Sequence, residues 1–240
     1  MKAVILAAGI GSRLRPLTAA TPKALLPVGG VPLIGRALTA LREEGISDVV
    51  IVSGYLSTMI ESYVCTLPVD LRVKFLHNPS FETTSNNYSL WLAKPEIIGQ
   101  DMLMLDADIL FERTIVRDLL ASSDTDALVV RTAPGLGAEE VKVECGADGY
   151  VVRIGKEIDP AQAAGESLGI EKFSAATGRL LFASLDRRKD RNEFYEASFQ
   201  EVIDAGAKIG TIDAGKRACI EVDTADDLRA ADLLARRVPY

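Results

Sequence analysis

Apolar residues along the chain fall into short unbroken runs that alternate with segments of helical spacing. This is the pattern of strands buried on both faces and of the helices that cover them. Lys2 to Ala8 (KAVILAA) is the first such run, and Gly9 ends it. Pro32 to Glu44 then sets Leu33, Ala37, Leu38 and Leu41 on one helical face, with Gly45 as the stop. Val49 to Ser53 predicts a second buried strand and Ser57 to Val64 a helix. Leu71 to His77 alternates like a strand, Asp101 to Leu105 is another, Thr114 to Ala121 is helical, and Ala127 to Arg131 is again a strand. Such alternation predicts an α/β protein: a mostly parallel sheet with right-handed crossovers, flanked by helices.

After Thr132 the pattern changes. Val141 to Glu144, Tyr150 to Ile154 and Ser167 to Phe173 read as short strands parted by turns, a small antiparallel addition in the C-terminal half. Helices are expected at Ala175 to Ser184 and Tyr195 to Ala205, and strands at Lys208 to Ile212 and Cys219 to Val222. An amphipathic helix from Ala225 to Arg236 follows. No repeat, linker or low-complexity tract interrupts the chain, so one domain over residues 1–240 is the simplest division.

Composition narrows the partners. The net charge is −7 and no run of Lys or Arg stands out, which disfavours nucleic acid as a partner. A pocket for small anions needs only a few local cations, so small-molecule substrates remain open. Cys65, Cys145 and Cys219 are odd in number, widely spaced and outside any CxxC pairing. They read as buried or half-buried fillers in a reducing compartment, not as disulfides or zinc ligands. Met1 to Ala8 is too short for a signal peptide, and no segment reaches the ~20 apolar residues of a membrane span. A cytoplasmic protein is expected. The oligomeric state stays open, a homodimer included.

Two constellations carry chemistry. In Leu6 to Val28 (LAAGIGSRLRPLTAATPKALLPV), Gly9 and Gly11 follow a strand and let backbone N–H groups approach phosphate oxygens. Arg13 and Lys23 add a bidentate cation and a point charge, and Pro16 and Pro22 stiffen the segment. Gly9-x-Gly11 alone is equally compatible with a structural turn. A dinucleotide-binding fingerprint wants a third glycine where Leu14 stands. It also wants an acidic residue about twenty positions on. This chain has Lys23, Pro27 and Gly29 in that region, which disfavours a dehydrogenase. The second constellation is Asp106-Ala107-Asp108, at the carboxyl end of a strand. Two carboxylates so placed can hold a hard divalent cation or cap a turn.

AAGIGSRLRPLTAATPKALLPV resembles the signature G-x-G-x-R-x-x-P-x-T-x-x-x-P-K of the sugar-1-phosphate nucleotidylyltransferases and their choline-phosphate cytidylyltransferase relatives. Gly9, Gly11, Arg13, Pro16, Thr18, Pro22 and Lys23 fall in step with it. The resemblance implies a Rossmann-like fold, a nucleotidyltransferase activity and Mg²⁺ as cofactor. It implies that the loop, with Leu6, Ala7, Ala8 and Ser12, wraps the triphosphate. Arg13 would engage the phosphates and Lys23 the phosphate under attack. Asp108 would be a Mg²⁺ ligand, with Asp106 in support beside the nucleotide. Glu221-Val222-Asp223 resembles the family's second acidic element, which makes Asp223 the other ligand, although Asp223 and Thr224 are also placed to cap the helix from Ala225. Lys156 occupies the place of the lysine that holds the acceptor's phosphate, and Glu166 sits where relatives bring acceptor-binding groups. Tyr195 and Glu196 are further pocket candidates, or the start of a helix.

Specificity rests on a shorter stretch. Hexose-1-phosphate members carry a Gly-Thr-Ala-like segment where this chain has Thr83-Thr84-Ser85-Asn86-Asn87-Tyr88-Ser89-Leu90-Trp91-Leu92. An Asn pair followed by an aromatic, Ser and Leu is more similar to the choline-phosphate and phosphonate cytidylyltransferases. Ser85, Asn86 and Ser89 are candidate nucleotide contacts, since amides and hydroxyls match a cytosine edge. Asn87, Tyr88 and Trp91 are candidate acceptor contacts. Tyr88 and Trp91, three apart on a helix, share a face that would suit a quaternary ammonium, unless Trp91 is a core residue. The expected reaction is transfer of CMP from CTP to phosphocholine or a 2-substituted ethylphosphonate, with release of pyrophosphate. A sugar-1-phosphate uridylyl- or thymidylyltransferase is one alternative, and a catalytically silent nucleotide sensor is the other. His77 ends a strand and is not needed as a base, because an anionic nucleophile has no proton to lose.

Overall fold

The first apolar run forms β1 (Lys2–Ala7). Its side chains feed two separate clusters: Ala3, Ile5 and Ala7 on one face, Val4 and Leu6 on the other. The strand is therefore central and covered on both sides. The computed structural model describes residues 1–68, 70–132 and 136–236. Residues 69, 133–135 and 237–240 of the expected 1–240 unit lie outside the described residues.

After β1 come a short hairpin, β2 (Pro27–Val28) with β3 (Val31–Pro32), then α1 (Leu33–Glu43), β4 (Asp48–Ser53), α2 (Ser57–Thr66) and β5 (Arg72–His77). Next are α3 (Asn86–Leu92), α4 (Lys94–Ile97), β6 (Met102–Asp106), β7 (Ile109–Phe111), α5 (Arg113–Ala121) and β8 (Ala127–Arg131). The second half holds β9 (Lys142–Cys145), β10 (Val151–Gly155), β11 (Gly165–Phe173), α6 (Ala175–Arg187) and α7 (Glu196–Asp204). It ends with β12 (Gly210–Asp213), β13 (Cys219–Glu221) and α8 (Ala225–Ala235).

β5, β4, β1 and β6 pair in parallel in that order. β11 then lies antiparallel between β6 and β8, and β12 closes the row parallel to β8. The β9–β10 ribbon branches from the first residues of β11. The result is a Rossmann-like α/β fold with a mostly parallel sheet and antiparallel additions. One expectation changes in detail: β8 does not extend the parallel run from β6, because β11 from the second half is inserted between them. Local hydrophobic pattern identifies a strand but not its neighbour.

A third cluster has the most bearing on function. Leu14, Leu26 and Val28 from the Gly-rich segment pack on Leu33, Leu110 of β7, Val222, and Ala231 and Ala235 of α8. The N-terminal loop is thus fastened to the C-terminal helix. β7 and β13, paired antiparallel, complete this seam, and the Val222 N–H donates to the Asp108 carbonyl at 3.0 Å. Of the cysteines, Cys219 is buried and Cys145 half-buried, as expected. Cys65 is exposed, a correction: α2 turns Ile60 and Val64 inward and leaves the neighbouring position to solvent.

β11 slips register against β8 between Ser167 and Glu171, and the bulge contains Gly169 at φ +64°. A Cβ there would lie 2.8 Å from Asp106 Oδ2 and 3.0 Å from Ile109 Cδ1. The bulge therefore lets β11 approach the acidic end of β6. Gly169→Ala is expected to lower unfolding free energy by about 1–3 kcal/mol through left-handed strain and this close contact. Urea denaturation reads the change; an unshifted midpoint would show that the bulge relaxes freely.

Candidate active site

The Gly-rich segment leaves β1 and folds back on itself. Gly11 has φ +65°, and a Cβ on it would sit 3.1 Å from the Cβ of Lys23 and 3.2 Å from Thr18 Cγ2. Only glycine allows so close a return. Thr18 Oγ1 donates to the Gly11 carbonyl at 2.7 Å, and Tyr55 Oη donates to the carbonyls of Thr18 (3.1 Å) and Ala19 (2.8 Å). Leu6, Ala7 and Ala8 form the buried approach to this loop, and Ser12 opens the short turn that contains Arg13. The loop is a built element, fixed from inside by Leu14 and from above by Tyr55.

Its two cations meet the acidic residues. Lys23 Nζ donates to Asp108 Oδ2 at 2.6 Å and to Asp223 Oδ1 at 2.5 Å, and Arg13 pairs with the other oxygen of Asp223. Residues 13, 23, 108 and 223 come from four separated stretches of sequence and converge at the carboxyl end of β1 and β6. Burial disfavours charge on Lys23, but attraction to Asp108 and Asp223 outweighs it and holds the ammonium above its ordinary range. Asp223 is likewise opposed by burial and drawn below the usual carboxylate range by Lys23 and Arg13.

The alternative capping role for Asp223 is taken by its neighbour. Thr224 is the N-cap of α8: its hydroxyl accepts from the Asp227 N–H at 3.2 Å, while Asp227 Oδ2 accepts from the Thr224 N–H at 2.7 Å. The Asp223 carboxylate is thereby left for the cations.

The donor set suits a hard metal ion. Asp108, Glu221 and Asp223 each bring a carboxylate oxygen within 4.8 Å of the others. Asp108 Oδ1 is buried without a hydrogen-bond partner among the described residues, an acceptor left without a donor. Oxygen-only ligands of this kind fit Mg²⁺ or Ca²⁺. Glu221 is open to solvent along its side chain, yet desolvation of its carboxyl in this crowded cleft, then repulsion from Asp108 and Asp223, lifts it to about 8.

Beside this cluster is a cleft of about 170 Å³. Arg13, Asn86, Asp106, Lys156, Glu166, Tyr195, Glu196, Glu221 and Asp223 all line it, together with Glu139, Glu140 and Phe194. Tyr195 Oη donates to Asp106 Oδ2 at 2.7 Å, and the Tyr195 N–H donates to Asn86 Oδ1 at 2.9 Å. Burial raises the Asp106 carboxyl well above its ordinary range, and the nearby Asp108 charge adds to it. Glu171 of β11 is 0 % exposed, has no partner for either oxygen among the described residues, and is raised by burial and then by Asp106.

Other candidates are placed elsewhere. Tyr88 and Trp91 stack on each other at 5.5 Å and do not line the cleft; the Arg191 guanidinium lies 5.4 Å and 4.6 Å from their ring centroids. Trp91 Nε1 donates to Asp186 Oδ1 at 2.9 Å. Asn87 is buried and donates to the Asp190 carbonyl at 3.4 Å, and its Oδ1 is unpartnered. Ser89 accepts from Asn78 Nδ2 at 3.1 Å, and the Ser85 N–H donates to the Arg191 carbonyl at 2.9 Å. The aromatic pair thus receives a cation, but from its own chain.

Residues 3–190 match the family model described as the MobA-like NTP transferase domain. The chain belongs to that family. It is 29% identical over 242 residues to the CMP-5'-(3-aminopropyl)phosphonate synthase of Streptomyces rubellomurinus, covering 97% of this chain and 38% of that protein. It is 40% identical over 124 residues to the choline-phosphate cytidylyltransferase of Streptococcus pneumoniae, covering 51% of this chain and 52% of that one. The chain thus spans well under two thirds of either relative. Among solved structures, the CTP:phosphocholine cytidylyltransferase from Streptococcus pneumoniae matches with TM-score 0.77 and 27% identity over 98% of each chain. The inositol-1-phosphate CTP transferase from T. maritima shares the fold, with TM-score 0.82 at 23% identity, over 98% of this chain and 95% of that one.

The sequence placed Glu221 in the acidic element but gave it no ligand role, and gave no role to Glu171, Phe194 and Arg191. Glu221 had a signal, two residues before Asp223 in a strand, where side chains of alternate residues share a face. Glu171 had none, since its significance lies in a burial that only the inserted β11 creates.

Glu196 gives a test of this electrostatic description. Burial raises its carboxyl from 4.5 to about 7, and one oxygen has no partner among the described residues. A carboxyl raised on folding holds its proton longer than in the unfolded chain, so its contribution is full below pH 4.5 and is lost as pH rises through about 7. Glu196→Gln is expected to flatten that part of the stability–pH curve and to exceed the parent in stability at pH 8. Denaturant midpoints across this range give the answer; parallel curves for the two proteins would contradict it.

Proposed function

We propose that the chain is a Mg²⁺-dependent cytidylyltransferase that moves CMP from CTP onto a small phosphate or phosphonate acceptor, such as phosphocholine or a 2-substituted ethylphosphonate. The observation that carries this reading is the convergence of Arg13 and Lys23, from a Gly-rich loop, on Asp108 and Asp223 beside a cleft. Family membership supports nucleotidyl transfer, and the names of the cytidylyltransferase relatives favour CTP. Localisation in the cytoplasm and action on small molecules, without nucleic acid or membrane, belong to the same proposal. No helix among the described residues is long and apolar enough to cross a membrane.

In this reading an anionic oxygen of the acceptor attacks the α-phosphorus in line. The new P–O bond forms as the bond to pyrophosphate breaks. No side chain need remove a proton. The residues act by position and charge: Arg13 and Lys23 turn from their carboxylate partners to phosphate oxygens, the Gly9–Gly11 backbone accommodates the triphosphate, and Lys156 steers the acceptor's phosphate. Asp108 and Asp223 would hold Mg²⁺, with Glu221 near, and the ion would supply charge neutralisation to the phosphates. Leu6 to Ala8, Ser12, Asn86 and Asp106 belong to the nucleotide side, and Glu166, Tyr195 and Glu196 to the acceptor side. The positions of Tyr88 and Trp91 do not support a cage around the acceptor.

Removing a contact worth ~3–4 kcal/mol in the transition state slows turnover by several hundred-fold. Lys23→Ala and Asp108→Ala are each expected to lower kcat for pyrophosphate release from CTP by at least that factor, with the fold retained by circular dichroism. Near-parental turnover in either purified variant would remove these residues from the reaction.

A further inference from the structure

Between α6 and α7 the chain runs from Arg188 to Tyr195 without a helix or strand. This segment nevertheless supplies Phe194 and Tyr195 to the cleft wall, and Glu196 follows them. Phe194 is 54 % exposed, and the Lys156 ammonium lies 5.3 Å from its ring centroid. Irregular backbone carries the entropy of ordering with few bonds of its own to offset it. A wall built on such a segment has to be held from outside.

It is held from two sides. Toward α7, Arg188 pairs with Glu193 and donates to Ser198 Oγ at 2.9 Å and to the Ala197 carbonyl at 2.7 Å. Toward α3, the Ser85 N–H donates to the Arg191 carbonyl at 2.9 Å and Asn87 Nδ2 to the Asp190 carbonyl at 3.4 Å. The Tyr195 N–H completes this seam by donating to Asn86 Oδ1 at 2.9 Å. The Arg191 side chain then closes over it. Its guanidinium lies 4.6 Å from the Trp91 centroid and 5.4 Å from that of Tyr88, rings already stacked on each other. Trp91 is fixed in turn by Asp186 of α6, which accepts from its Nε1 at 2.9 Å and from Lys94 Nζ at 2.6 Å. α3, α6 and the segment thus meet around one cation, three residues before Phe194.

We propose, resting on the cytidylyltransferase reading above, that Arg191 is a positioning residue for the acceptor. Stacked on Tyr88 and Trp91, it fastens the segment to α3 and so fixes where Phe194, and with it the start of α7, stands in the cleft. The aromatic pair serves the acceptor at one remove, through the arginine that it holds. Tyr195 keeps its own bond to Asp106 and its stack on Phe199, so Phe194 is the residue that loses its place first. The Gly-rich loop, Asp108 and Asp223 are held by other contacts, the Leu14 cluster and the Lys23 ion pairs. Releasing Arg191 therefore weakens acceptor binding and spares CTP.

Two readouts test this. The first is steady-state pyrophosphate release with CTP and Mg²⁺, with phosphocholine, 2-hydroxyethylphosphonate and 2-aminoethylphosphonate as acceptors. Arg191→Met removes the charge and keeps an unbranched side chain. It is expected to raise KM for the acceptor that the parent uses by about five-fold or more, with kcat and KM for CTP within about two-fold of the parent. Tyr88→Leu should give the same split, and combining the two should add little, because both remove one contact. The second readout, amide hydrogen exchange, needs no substrate. Exchange at the Ser85 and Tyr195 amides, which bond across the seam, should quicken by about ten-fold in Arg191→Met while β1 is unaffected. An unchanged KM for the acceptor, an equal rise for CTP, or parental exchange at both amides overturns the proposal. Should Arg191→Met fail to fold, Tyr88→Leu decides by the same readouts. A parent silent with all three acceptors would instead overturn the cytidylyltransferase reading on which the proposal rests.

Discussion

The site depends on one arrangement: a largely buried lysine ammonium held between two carboxylates that lie far apart in the sequence. Lys23 reaches Asp108, just beyond the sheet's β6, and Asp223, just before α8. A lysine so far removed from water is tolerable only with counter-charges. Those carboxylates in turn would repel each other without it. These ion pairs tie the loop, the end of β6 and the C-terminal seam together. The packing of Leu14, Leu26 and Val28 on α8 and β7 supplies the apolar surface that makes the meeting rigid. Chemistry and architecture therefore share one constraint.

The same arrangement is tense, and this suits a site that exchanges its own ion pairs for a ligand's. Among the described residues Asp108 keeps an unpartnered oxygen beside its lysine, Glu221 is raised by desolvation and then by like charges, Asp106 accepts from Tyr195, and Glu171 is a buried acid with neither oxygen partnered. A polyanionic nucleotide and a divalent cation would redistribute these charges: cations to the phosphates, carboxylates to the metal. Sites that bind charge are where a fold departs from its own stability optimum.

Much of this was legible in the chain itself. Buried strands announce themselves because both faces are apolar, and β1, β4, β6 and β8 lie within a residue or so of the runs that predicted them. Arg13, Lys23, Asp108 and Asp223 were readable because the family's loop has fixed spacing and because acids at strand ends are rare without purpose. What could not be read depends on partners distant in sequence. The insertion of β11 beside β6, the short strands β7 and β13, and the burial of Glu171 follow from topology, not from local pattern. The aromatic pair misled for a related reason. Tyr88 and Trp91 do share a face and do attract a cation, but Arg191, about a hundred residues further along the chain, reaches it first. Composition cannot say whose cation fills a cage.

On the proposed function, Lys23 and its two carboxylates are a nucleotide and metal site at rest. The most direct measurement is a crystal structure of the protein with Mg²⁺ and a CTP analogue that cannot lose pyrophosphate. The expected result is a cation in contact with Asp108 and Asp223, and Lys23 moved from those carboxylates onto the phosphates within the Gly9–Lys23 loop. A nucleotide bound elsewhere, with the Lys23 ion pairs unbroken, would contradict it.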